Sequence, residues 1–146
     1  MTNGILQTAM LRKTIMTASS VTLGVSGVIL SFAPDFLWES QNIKATPIIL
    51  VFTQILGALY FSFAVLNWFV KGSMLGGIYN RPVILANFTH YLVGFIFLLK
   101  GQIFHSNENY KICLLVLIYC SFSISFGIML ITNPNLDEPK SFKLQK

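Results

Sequence analysis

Polar and apolar positions in this chain are segregated into long blocks. All fifteen charged residues fall outside four windows, 14–34, 45–70, 82–99 and 112–136, which are 21, 26, 18 and 25 residues long. A bilayer core takes about 20 apolar residues per helix, and about 17 suffice with helpful flanks. A helix satisfies its own backbone in lipid, so each window predicts one membrane-crossing helix. The predicted spans are Thr14–Phe32, Pro47–Val70, Val83–Leu99 and Ile112–Ile131. A membrane β-barrel would need many alternating segments of about ten residues, and these windows do not alternate. The fold class expected is all-α: a four-transmembrane-helix antiparallel bundle over residues 1–132, followed by a polar cytoplasmic tail, 133–146.

The connections refine this picture. Residues 1–13 read as a short polar lead. In APDFLWESQNIKAT, residues 33–46, Phe36, Leu37 and Trp38 suit a membrane surface, and Asp35 suits the cap of a short interfacial turn. Residues 71–82 and 100–111 read as loops, with Pro82 opening the third helix. The tail carries two prolines and mixed charge, which predicts little fixed structure. Connections this short favour antiparallel neighbours. Arg12 and Lys13 ahead of an apolar run resemble the start of a signal peptide. The run is long for one, and Pro34 follows the small-residue exit, so the first helix is expected to be retained.

Composition agrees. The chain is 54% hydrophobic and only 10% charged, against about 25% charged in soluble domains. A net charge of +5 raises nucleic acid as a partner, but no basic run or face is present to bind it. Lys and Arg divide unequally among the flanks: Arg12, Lys13, Lys71, Arg81, Lys140, Lys143 and Lys146 on one side, Lys44, Lys100 and Lys111 on the other. Seven against three places both termini and the middle loop in the cytoplasm. Cys113 and Cys120 are seven residues apart on one helix, about 10 Å along its axis. That separation excludes a disulfide between them.

Two helices carry close-packing stripes. Ser20, Gly24, Gly27 and Ser31 share a face of the first, and Gly57, Phe61 and Ala64 share one of the second. In lipid, small stripes let backbones approach and gain van der Waals contact. Gln54 of the second helix is expected to bond to a neighbouring helix. Ser121, Ser123 and Ser125 of the fourth can bond back to their own preceding turn.

The candidate chemistry lies on the third helix. Asn87, His90, Tyr91 and Gly94 fall at i, i+3, i+4 and i+7, one helical face. His90 is ionisable and deep in an apolar window, which marks it as a functional candidate. Counting about 1.5 Å per residue from the ends, Asn67 of the second helix falls at the depth of Asn87, and Tyr60 near that of His90. Ser20 lies at a similar level. Tyr79 and Arg81 of the adjoining loop sit just below. One reading has these groups bonding to one another and fixing helix register, at about 1 kcal/mol per bond. The other has Tyr60, Asn67, Tyr79, Arg81, Asn87, His90 and Tyr91 lining an inner-leaflet site for a lipid head group or a quinone ring. No second histidine or carboxylate accompanies His90 in its window, against the three protein ligands of a catalytic zinc. Nor does a carboxylate in the helices orient it for nucleophilic catalysis.

The order of features, FAPDFL closing the first helix, QILGALYFSFAVLNW in the second and a glycine-rich loop before the third, resembles small bacterial four-helix integral membrane proteins of the DoxX-like type. The resemblance spans roughly residues 14–131 and implies a multi-pass protein of the bacterial cytoplasmic (inner) membrane. For some members it implies an accessory role beside quinone-using oxidoreductases. It supplies no catalytic residue. The function expected is therefore a non-enzymatic accessory or structural subunit contacting other membrane proteins and lipid. The alternative is a lipid- or quinone-binding protein built around His90. No metal and no resident cofactor is expected.

Overall fold

The computed structural model describes residues 2–72, 80–105 and 110–132. Every regular element among them is helical: α1 (Thr2–Phe32), α2 (Pro34–Glu39), α3 (Pro47–Val70), α4 (Asn80–His105) and α5 (Tyr110–Ile131). Four stretches are long and apolar enough to cross a membrane: Ala9–Phe32, Pro47–Val70, Arg81–Ile103 and Tyr110–Ile131.

The apolar windows locate these helices but understate two of them. α1 begins at Thr2, so what reads as a polar lead is helical from that residue. Arg12 and Lys13 end an apolar window, but both are good helix formers. α4 likewise starts at Asn80 and runs through Lys100 to His105. Pro82 still lies in its first turn, where the missing N–H costs nothing. The predicted loop at 33–46 contains α2. Its N-cap is Ala33, and no side chain caps it. Asp35 stands inside the first turn, where its charge faces the positive end of the helix instead. Asn42 ends this segment at φ 57°, with the Ile43 N–H donating to the Trp38 carbonyl at 3.1 Å. Asparagine tolerates that left-handed conformation. Pro47 then opens α3.

The chain resolves into two compact units, Met1–Ser73 and Met74–Lys146. In the first, α1 and α3 pack antiparallel. Ser19 meets Asn67, Ser20 meets Ala64, and Gly27 meets Gly57 and Phe61, so rising numbers on one helix match falling numbers on the other. A Cβ built on Gly27 would stand 2.7 Å from the Phe61 backbone nitrogen, so only glycine permits this spacing. The small-residue stripes read from the sequence are the contact. α2 folds against α3 through Trp38, whose Nε1 donates to Thr53 Oγ1 at 3.1 Å. Gln54 is exposed within this unit and does not bridge to α1. It lies one position from buried Thr53 and three from buried Gly57, turned off the packed face.

In the second unit α4 and α5 pack antiparallel through aromatic rings. Tyr91 stacks on Phe122 (centroids 4.8 Å apart, planes at 22°) and lies parallel to Phe126 (5.8 Å, 13°). Gly94 leaves room for the Tyr119 ring, and Gly127 sits beneath Phe88. Ser121 and Ser125 donate to the Leu117 and Ser121 carbonyls at 2.6 and 2.7 Å, bonds within α5 itself.

Both units turn large apolar side chains outward. Phe32, Phe69, Phe97 and Ile131 are 85, 77, 67 and 86% exposed. Apolar surface on this scale is not stable in water and calls for lipid or another protein.

Candidate functional site

The structure divides the candidate residues between the two units. Tyr60 and Asn67 belong to α3, and Arg81, Asn87, His90 and Tyr91 to α4. Tyr79 lies outside the described residues.

In the first unit Asn67 is fully buried and aimed at α1, where its Nδ2 donates to Ser19 Oγ at 3.0 Å. One turn along, Ser20 Oγ donates to the Ala64 carbonyl at 2.6 Å. An amide and a hydroxyl cross-link the helices where a polar group facing hydrocarbon would be costly. Tyr60 is half-buried two turns toward the other end of α3.

In the second unit Asn87 is also fully buried, and its Nδ2 donates to the Val83 carbonyl one turn back, at 2.9 Å. Part of the polar face seen in the sequence thus closes on its own helix. Tyr91 has no exposed surface and lies among α5 rings: Phe122, Phe126 and, edge-on at 5.3 Å, Tyr119. His90 is half-buried at the margin of this cluster. Its ring centroid is 5.1 Å from that of Tyr91 and 5.8 Å from that of Tyr119. Arg81 is exposed in the first turn of α4. The arrangement offers a stiff aromatic wall with one imidazole at its edge. Such a wall can stack a ring or hold two helices together. Among the described residues no three His, Cys, Asp or Glu side chains come together, and Cys113 and Cys120 are free thiols.

Two contributors were less visible in the sequence. Tyr119, Phe122 and Phe126, at i, i+3 and i+7 of α5, form one aromatic face that the spacing alone could reveal. Arg12, read there only as a flanking charge, is 7% exposed on the face of α1 that packs against α3, in line with Met16, Ser19, Ser20 and Leu23.

Comparison with protein-family models, curated proteins and solved structures finds no match for this chain.

Proposed function

We propose that this chain is a small multi-pass protein of a bacterial cytoplasmic membrane, non-enzymatic, serving as an accessory or structural subunit that contacts other membrane proteins and lipid. The observation that carries this reading is that the two buried asparagines bond to groups of their own helical pair. Asn67 is bonded to Ser19 and Asn87 to the Val83 carbonyl, while apolar side chains on all four long helices point outward. The Asn67 bond fixes α1 against α3 and the Asn87 bond satisfies its amide within α4, and the outward surface is left to make the contacts. The excess of Lys and Arg on one set of flanks supports a topology with both termini in the cytoplasm. The DoxX-like resemblance supports the same class and points to a membrane oxidoreductase as the kind of partner.

A second reading rests on His90, which edges the aromatic cluster without being sealed in it. There the imidazole would bond to a lipid head group or quinone carbonyl while the rings stack against it.

Gentle purification followed by native mass spectrometry separates the two. A stoichiometric protein partner with no retained small molecule supports the accessory role. A retained amphiphile that is lost on His90→Ala, with folding intact, supports the second reading and overturns the first. Recovery of the chain in the soluble fraction after cell breakage would overturn both.

A further inference from the structure

Hydrogen bonds inside the first unit satisfy several polar side chains of α3. Asn67 donates to Ser19 Oγ at 3.0 Å. Thr53 Oγ1 donates to the Ile49 carbonyl at 2.8 Å and accepts from Trp38. Ser62 is exposed, but its hydroxyl donates to the Ala58 carbonyl at 2.9 Å. Gln54 differs from these. Its side chain is exposed, and among the described residues its amide makes no hydrogen bond.

Gln54 stands about 10 Å along α3 from its start at Pro47. A 24-residue helix is only a few ångström longer than the roughly 30 Å hydrocarbon layer, so the amide falls inside that layer. An amide facing hydrocarbon lacks the partners that water would supply, and this is costly. At about 100° per residue, Gln54, Ala58, Ser62 and Val65 share a stripe about 80° wide, and all four are exposed. The stripe lies about 120° round the helix from Thr53, Gly57 and Ala64, which are buried. Ala58 and Ser62, one and two turns from Gln54, present little bulk, so a second helix can approach closely there.

We propose that α3 pairs along this stripe with α3 of a second copy of this chain, the two Gln54 amides hydrogen-bonded to each other across a twofold axis. The chemistry of the amide selects the occupant. A carboxamide is donor and acceptor at once, so it complements itself. Two copies inserted the same way round are related by an axis along the membrane normal, which keeps every residue at the depth of its counterpart. A second copy therefore delivers the matching amide at the required depth. An unrelated helix does so only if it carries a polar side chain at that level. The inference rests on the membrane reading above but not on the accessory role or on His90.

The test reconstitutes the full chain in phosphatidylcholine vesicles, with donor and acceptor dyes on the amino termini of separate batches. Energy transfer is followed as added lipid dilutes the protein. A monomer–dimer transition is expected. Gln54→Leu should weaken the dimer about three- to tenfold, the effect of one or two interhelical hydrogen bonds in lipid. Leu59→Ala, exposed on α3 but off the stripe, should leave it unchanged. Both side chains point away from α1, so these variants keep the fold. In a Cys113→Ser, Cys120→Ser background, oxidation should cross-link Ala58→Cys between copies and spare Leu66→Cys, which is exposed on another side of α3. An unchanged dimer in Gln54→Leu, or equal cross-linking at positions 58 and 66, would overturn the proposal. So would a monomer held one-to-one by a different protein in native mass spectrometry and released by Gln54→Leu, which would give the stripe to that partner. A chain that inserts into vesicles yet stays monomeric at every dilution refutes the pairing alone. One that fails to insert refutes the membrane reading along with it.

Discussion

Gly27 and Gly57 face each other backbone to backbone. A Cβ on Gly57 would lie 2.9 Å from the Gly27 carbonyl oxygen, and one on Gly27 would lie 2.9 Å from the Gly57 carbonyl oxygen. Neither obstacle is a side-chain tip that can swing away. Gly27→Ala and Gly57→Ala should each destabilise the helical pair by about 1–3 kcal/mol, the usual cost of overpacking. Gly24→Ala is the internal control. Its Cβ would meet Ala64 Cβ at an ordinary 3.5 Å, and alanine suits a helix better than glycine by about 1 kcal/mol. Thermal unfolding of the three variants in one detergent checks this. Equal melting temperatures for Gly57→Ala and Gly24→Ala would contradict the close approach.

The buried amide of Asn67 makes a second, smaller contribution. Its bond to Ser19 Oγ ties α3 to α1, as does that of Ser20 Oγ to the Ala64 carbonyl. Side-chain bonds between helices in membranes couple at about 0.6 kcal/mol on average and rarely above about 1.7. A double-mutant cycle of Ser19→Ala and Asn67→Ala, read by unfolding, should give a coupling within that range. Additivity of the two losses would mean that the bond is not formed in the membrane.

Both of these contacts bear on what the sequence could and could not disclose. Ser20, Gly24, Gly27 and Ser31 announce a close contact because their spacing matches one helical face, and smallness has few other uses in lipid. The partner helix is not written in that spacing. α3 is identified by its own stripe, Gly57 and Ala64, only once the register is known. Asn67 shows the limit most clearly. Depth counting places it level with Asn87, but depth says nothing of direction around the axis, and the side chain turns to Ser19. Asn87 makes a different bond again, with its own helix. Charge misleads in a different manner. Arg12 ends an apolar window without ending α1, because helix propensity does not follow hydropathy, and its side chain is buried.

The aromatic wall of the second unit should depend on the bare backbone of Gly94. A Cβ there would run into the Tyr119 ring, standing 2.7 Å from Cδ1. Gly94→Ala should lower stability by about 1–3 kcal/mol and flatten the near-ultraviolet circular dichroism of the tyrosine cluster. Adding Tyr119→Ser removes the obstacle, so the double variant should lose less than the sum of the single losses. If Tyr119→Ser alone leaves the near-ultraviolet spectrum intact, the ring is not part of an ordered cluster.

The charge contact between Lys13 and Lys71 can be tested directly. The Lys71 pKa is held below the ordinary lysine value of 10.5, first by partial burial and then by the charge of Lys13. The Trp68 ring favours the cation and so opposes this shift without reversing it. Because the folded chain gives up this proton more readily than the unfolded chain, the unfolded state binds more protons between the lowered value and 10.5. Stability should therefore rise with pH across that window and carry no pH dependence from Lys71 below it. Lys13→Gln removes the repulsion and leaves the burial, so the Lys71 pKa should move up but stay short of 10.5. Trp68→Leu removes the ring's support for the cation and should move it further down. Titration of ¹³C-methylated lysines by NMR in detergent reads both variants. A Lys71 resonance that titrates identically in Lys13→Gln and the unaltered chain would show that the two charges do not interact.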